Sequence, residues 1–131
     1  MFFIQFSNPA GYPPLLHAVD ILLLQGWKVC VLGINANETG ALSFPPRAGL
    51  AVRMLRQARP GWRQKFQYLR FTFLAAMWSM RIRPQFVYGS DPLSCLPALW
   101  ACRLGGSRLI YHEHDSPGME KGALYDRMIS K

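Results

Sequence analysis

The chain has 131 residues, of which 50% are hydrophobic, so it can bury one core and is not a disordered segment. Its 15 Lys and Arg residues outnumber 7 Asp and Glu residues, which gives a formal net charge of +8. No acidic residue falls between Glu38 and Asp91, where most of the cations lie. Such a block favours an anionic partner, namely lipid headgroups, nucleic acid or an acidic protein surface, with a solvated basic face as the alternative.

The N-terminal third predicts a strand, a helix and a second strand. Phe2–Phe6 is a nearly continuous apolar run typical of a central parallel strand. A Pro- and Gly-containing break follows, and residues 15–25 predict a helix that ends before Gly26. Lys28–Ile34 is the next strand, so this third predicts a βαβ unit with a right-handed crossover.

The middle of the chain predicts a weaker strand at residues 50–55 and one long helix over Trp62–Arg83. One apolar face of this helix should pack on the sheet, and it comprises Trp62, Phe66, Leu69, Phe73, Met77 and Met80. The opposite face carries Phe71, Leu74, Trp78 and Ile82, with Arg63, Arg70 and Arg81 along its flank. This second face predicts shallow membrane insertion, and the alternative is burial against an adjacent helix or a further domain.

The last third predicts another strand at residues 84–89, a helix over residues 93–104 and a strand at residues 108–111. A final helix is predicted from Met119 or Lys121 onward. The whole pattern predicts an α/β fold, a Rossmann-like parallel sheet with helices on both faces. We expect one domain over residues 1–131 that is incomplete at its C-terminal end.

Polar residues follow three of the predicted strands, at what would be one edge of the sheet. They are Ser7, Asn8 and Tyr12 after the first strand, Ser90 and Asp91 after a later one, and residues 112–116 after the last. Ligands bind at this edge in open α/β sheets, because side chains and helix N-termini converge there. His112 and His114 alternate along the chain, so only one of them should face the cleft, and either can be a hydrogen-bonded core histidine.

Other features of the sequence limit the possible chemistry of the site and the cellular compartment of the protein. The cluster from His112 to Asp115 lacks the i, i+4 histidines of zinc proteases and a third ligand, so we expect no metal site. Three cysteines without metal-ligand spacing indicate a reducing compartment, most simply the cytoplasm. No apolar run is long enough to span a bilayer. We therefore expect a cytoplasmic protein that lies peripherally on the inner face of a membrane.

Four segments of the chain, taken in order, resemble a known family. They are Tyr12-Pro13-Pro14 before a His-bearing helix, Gly26-Trp27-Lys28-Val29, residues 84–91 ending in Ser90-Asp91, and Ile110-Tyr111-His112-Glu113-His114-Asp115. Together they resemble the N-terminal domain of family 4 glycosyltransferases, which have the two-domain GT-B fold. The resemblance spans nearly the whole chain. In that family this half mainly receives the acceptor, and the other half binds the sugar nucleotide and carries a pair of active-site glutamates.

The resemblance implies roles for individual residues. His114 and Asp115 match the family's His-Asp after the last strand, whose histidine lies near the transferred sugar, so they are the candidate catalytic residues. The candidate acceptor-binding residues are Asn8, Tyr12, Ser90, Asp91, His112 and Glu113. The family's first loop is usually rich in glycine and approaches the donor diphosphate, whereas this one offers only Gly11 among prolines.

The resemblance further implies the acceptor-binding half of a retaining glycosyltransferase, which moves a sugar from a nucleotide sugar to a glycan or lipid-linked acceptor. We expect no cofactor in this chain, no turnover by the chain alone, and a donor-binding C-terminal domain or partner chain that completes the enzyme. The alternative is a non-catalytic basic binding module of the same fold that binds a membrane, nucleic acid or a protein. Nucleic acid is the less favoured of these partners, because the aromatic residues lie in helical stripes rather than on exposed strands where bases could stack.

Overall fold

The computed structural model describes residues 1–35 and 42–112, and the predicted final helix lies outside them. The described part is an α/β fold with a five-stranded parallel sheet in the order β3-β2-β1-β4-β5. This confirms the predicted fold class. The strands are β1 (Phe2–Ile4), β2 (Val29–Asn35), β3 (Leu50–Arg56), β4 (Phe86–Gly89) and β5 (Arg108–Tyr111). The helices are α1 (Pro13–Leu24), α2 (Trp62–Ile82) and α3 (Cys95–Gly105).

The short central strand β1 divides the core in two, because successive side chains of a strand point to opposite faces. Phe2 and Ile4 are buried with residues of α2 and α3 on one face of the sheet. Phe3 is buried with Leu15 and Val19 of α1 on the other face. Helices therefore cover both faces, as right-handed crossovers to the two sides of β1 require.

Helices α2 and α3 pack closely through small residues. Ser79 is fully buried, and its Oγ donates a hydrogen bond to the carbonyl oxygen of Ala101 across the contact, at 2.7 Å. Ala75, Ala98 and Ala101 are also fully buried. A Cβ on Gly105 would overlap Ser79 Oγ, so the end of α3 reaches α2 only because residue 105 is glycine.

The prediction that one face of α2 packs on the sheet and the other meets a membrane is wrong, because the faces are exchanged, and the alternative of burial against an adjacent helix holds for the second face. Phe71, predicted to face a membrane, is fully buried, and Trp78 packs edge-on against Phe2 with ring centroids 5.3 Å apart. Leu74 is half-buried. The side carrying these residues also carries Ala75 and Ser79, whose small size lets α3 approach, so this is the side that meets the sheet and α3.

The face predicted to pack on the sheet is exposed instead. We call it the outer stripe, and it comprises Trp62, Phe66, Leu69, Phe73, Met77 and Met80, which are 45% to 73% exposed. Arg63, Arg70 and Arg81 are exposed beside it, as predicted for a flank. On α3, Leu96, Trp100 and Leu104 are exposed as well. Within the described ranges, no helix combines the length and the hydropathy that a membrane span requires.

Candidate functional site at the carboxyl edge of the sheet

The loops after β1 and β4 are joined by the carboxylate of Asp91. Its Oδ2 accepts the backbone N–H of Phe6 at 2.7 Å, and its Oδ1 accepts the N–H of Ser94 at 2.8 Å. Ser94 Oγ lies 3.1 Å from the Asp91 N–H, which completes a capping box ahead of α3. The predicted convergence of the first loop with Ser90 and Asp91 is therefore present.

These contacts bear on the roles expected for Ser90 and Asp91, which the resemblance places in the loop that shapes the acceptor pocket. Burial raises the pKa of the Asp91 carboxyl, although the backbone donors Phe6 and Ser94 act in the opposite direction. Both oxygens of Asp91 serve backbone groups, so this residue shapes the site rather than offering a free carboxylate to an acceptor. Ser90 is 4% exposed, and its buried Oγ has no hydrogen-bond partner among residues 1–35 and 42–112.

Asn8 and Pro9 fix the course of the first loop. The amide of Asn8 is 5% exposed, accepts the N–H of Ala10 at 3.0 Å and donates to the carbonyl oxygen of Leu42 at 3.2 Å. Asn8 is thus committed to the loop, contrary to its predicted direct contact with an acceptor. Pro9 packs on Gly33 of β2 so tightly that a Cβ there would overlap its ring. The loop consequently lies on the sheet as a short 3-10 turn, Pro9–Gly11.

A histidine and two tyrosines meet on the side of the edge that faces α1. Tyr88 Oη lies 3.1 Å from His112 Nδ1, and burial, followed by the proximity of Tyr12, raises the pKa of Tyr88. His112 is exposed, so the alternative of a core histidine is wrong. Tyr88 and His112 form one wall of an open groove of about 490 Å³ whose other wall is α1.

Sequence reasoning missed Tyr88 because it was assigned only to a strand. The sequence did contain a signal for Tyr88, which alternates with buried Val87 and precedes the polar turn at the carboxyl edge.

A second cleft, of about 490 Å³, was not predicted from the sequence, and it lies where α2 begins. Its lining residues are Phe6, Gln64, Lys65, Tyr68, Leu69 and Leu93. The ring of Phe6 meets that of Tyr68 edge-on, with centroids 5.2 Å apart.

The remaining predicted site residues, Glu113, His114 and Asp115, lie outside the described residues. They follow His112 directly along the chain, and the His112 N–H donates to the Gly89 carbonyl oxygen at 3.0 Å, which extends the pairing of β4 and β5. In the described part of the chain, no group of three or more His, Cys, Asp or Glu side chains is placed to hold a metal ion.

The groove combines aromatic rings with hydrogen-bonding groups. Aromatic rings offer apolar faces to sugar rings, while the Tyr88 hydroxyl and the His112 imidazole offer hydrogen-bond donors and acceptors. A scan against protein-family models, a search of the curated proteins and a search of the solved structures each found no match to this chain. The functional conclusion therefore depends on the residues and their geometry.

Proposed function

We propose that this chain is the acceptor-binding half of a retaining glycosyltransferase that moves a sugar from a nucleotide sugar to a glycan or lipid-linked acceptor. The observation that carries the proposal is the carboxyl edge of the parallel sheet. There the carboxylate of Asp91 holds the first loop against the end of β4 by accepting the backbone N–H of Phe6. Tyr88 and His112 line an open groove at the same edge. The family resemblance of the segments that build this edge supplies the reaction.

In this proposal, Tyr12, Tyr88 and His112 contact the acceptor, and Asp91 holds the loops that shape its pocket. The resemblance assigns the catalytic roles to His114 and Asp115 and an acceptor contact to Glu113. Transfer needs hydrogen-bond donors or cations at the departing nucleoside diphosphate. A second domain or partner chain supplies them, so the chain alone has no turnover.

The test is release of nucleoside diphosphate from a panel of sugar nucleotides in the presence of a lipid and glycan extract of the source cells. The native polypeptide, purified from those cells with any associated chain, should release it, and the 131-residue chain alone should not. His114→Ala should lower the native rate by about a hundredfold or more, as expected for loss of a catalytic group. The matched control is His17→Ala on the exposed side of α1, which should leave the rate unchanged.

Two results would overturn the proposal. One is turnover by the isolated chain, and the other is a native polypeptide that releases no nucleoside diphosphate with any donor. In the second case a labelled oligonucleotide at matched salt tests the non-catalytic alternative, because a basic module would retain that binding.

We also propose that the protein associates peripherally with an anionic membrane through α2 and α3. The outer stripe runs from Trp62 to Met80, about 27 Å at 1.5 Å per residue, and α3, which packs against α2, has exposed apolar residues of its own. Leu69 of the stripe and Leu93 ahead of α3 line the same cleft, so the two apolar surfaces are continuous there. Contiguous apolar surface of this kind marks an interaction site.

The charges around the outer stripe favour lipid over protein as its occupant. Arg63, Arg70 and Arg81 lie along one flank, and Lys65 lies on the other. The two acidic side chains among the described residues are Asp20, which pairs with Arg47, and Asp91, which is held by backbone groups. An apolar stripe edged only by cations matches the acyl and headgroup layers of an anionic bilayer.

A further inference from the structure

A second feature of the carboxyl edge belongs neither to the groove nor to the outer stripe. Three arginines, at the end of β3, in the loop that follows and at the start of α2, line a polar cavity of about 560 Å³ together with Gln57 and Ala58. They are Arg56, Arg59 and Arg63, and all three are exposed.

The loop between β3 and α2, which carries Arg59, is held in place by a buried amide. Gln67 on α2 is 9% exposed, and its Nε2 donates to the Arg56 carbonyl oxygen at 2.6 Å. Its Oε1 accepts the N–H of Ala58 at 2.8 Å. The Gln57 N–H also donates to the Asn35 carbonyl oxygen at 3.2 Å. The backbone on both sides of the cavity is therefore fixed before any ligand binds.

Among residues 1–35 and 42–112, no acidic side chain pairs with the arginines of the cavity. Neither Asp20 nor Asp91, the acidic residues in the described ranges, pairs with these three arginines. Arg63 lies over the ring of Trp62, with Cζ 5.6 Å from the centroid, which orients it without neutralising it. Helix α2 begins beside the cavity after Gly61, which provides no side-chain cap, so the positive end of the helix dipole adds to the field.

We propose that the Arg56, Arg59 and Arg63 cavity binds the phosphate group of a phosphorylated ligand. Guanidinium groups bind phosphate oxygens through paired N–H donors, and three of them can serve the several oxygens of one phosphate. The open cavity leaves room for the organic part of a phosphate ester. The identity of the ligand rests on the proposed function: in an acceptor-binding half, it is the acceptor that bears the phosphate.

The test titrates inorganic phosphate, and separately pyrophosphate, into the 131-residue chain at constant ionic strength, with binding followed by calorimetry. Saturable binding is expected, and Arg59→Gln should weaken it about tenfold, because a hydrogen bond to a charged group is lost. The matched control is Arg103→Gln on α3, which removes the same charge from another exposed site and should change the affinity less than about twofold. Circular dichroism checks that both variants fold.

The proposal is overturned if neither anion binds saturably, or if Arg59→Gln and Arg103→Gln weaken binding equally, since that would show only a diffuse field. A second arm distinguishes the source of the phosphate by using phosphatidylcholine vesicles with and without phosphatidic acid. Loss of vesicle binding in Arg59→Gln assigns the site to a lipid headgroup, whereas loss of free phosphate binding alone assigns it to a soluble ester. No sugar nucleotide enters either arm, so failure of the transfer assay leaves this result standing.

Discussion

Asp91 illustrates how one side chain can be essential to a site without facing its ligand. Its carboxylate holds the backbone of Phe6 and of Ser94 at the same time, and burial raises its pKa. The folded state therefore binds a proton at this carboxyl more readily than the unfolded chain, whose reference pKa is 3.8. A raised pKa contributes stability below the unfolded value, and this contribution is lost as the pH rises through the folded value.

We predict that Asp91→Asn removes this pH dependence. As the pH rises from about 3.5 to about 7, the wild-type chain should lose free energy of unfolding relative to the variant. Urea denaturation across that range measures the difference, and Asp20→Asn on the surface controls for the loss of one negative charge. If the wild type instead gains stability over the variant with rising pH, then the hydrogen bonds to Phe6 and Ser94 outweigh burial.

Among the helices, the contact between α2 and α3 depends on the absence of a side chain at residue 105. A methyl group there meets Ser79 Oγ, the atom that hydrogen-bonds Ala101. We predict that Gly105→Ala costs about 1–3 kcal/mol from overpacking and that Ser79→Ala costs about 1 kcal/mol from the lost hydrogen bond. The double variant should cost about 1 kcal/mol less than the sum, because the hydroxyl that obstructs the methyl is gone.

The control for this cycle is Gly106→Ala, which is strained by its φ of +68° but meets nothing within 4 Å. Its cost should simply add to that of Ser79→Ala in thermal or urea unfolding. Additive costs for Gly105→Ala as well would show that the two helices move apart without resistance.

The contact between α2 and α3 also explains why the sequence did not predict which apolar face of α2 is buried. Alternating strands and helices predicted the parallel sheet, its five strands and the three α-helices of the described residues, because the apolar runs and the Gly and Pro breaks are strong local signals. Two apolar faces on one helix give periodicity no means of choosing between them. Ala75 and Ser79, four residues apart, were the available signal, since small residues mark the side on which another helix approaches.

Across the whole molecule, the alternation of strands and helices was enough to predict that the first loop, Ser90-Asp91 and His112 meet at one edge, because the strands of a parallel sheet end on the same side. It was not enough to predict which side chains point outward there, because Asn8 and Asp91 are turned inward by backbone partners that appear only after folding. The Arg56, Arg59 and Arg63 cavity could not be predicted from the sequence for a similar reason. Its loop is placed by Gln67, a residue eleven positions from Arg56 whose role depends on burial.

The exposed apolar surface sets a prediction for the molecule as a whole. In flotation with phosphatidylcholine vesicles containing phosphatidylglycerol, Leu69→Ser in the outer stripe should lower binding about tenfold, because an apolar side chain leaves the bilayer. The control is Leu24→Ser on α1, a leucine that is 88% exposed on the other side of the sheet, and it should change binding less than about twofold. Neutral vesicles should bind more weakly than anionic ones.

Equal effects of the two leucine substitutions would contradict membrane docking through α2. So would a wild-type chain that stays with the soluble fraction and sediments as a complex with itself or another protein. That second outcome would identify a protein as the occupant of the outer stripe.

The position of β1 also bears on how the chain reaches this fold. The first strand lies in the middle of the sheet, with β2 on one side and β4 on the other, and its partners Cys30 and Val87 are far apart along the chain. During synthesis β1, α1, β2 and β3 emerge first and can assemble, whereas the opposite edge of β1 waits until β4 is made. Until then Phe2 and Ile4 lack the part of their core that β4 and α3 supply, although α2 has already been made. A nascent chain paused before β4 is thus a half-sheet with one free edge and an apolar face that α2 alone can cover, which makes it the species most exposed to aggregation.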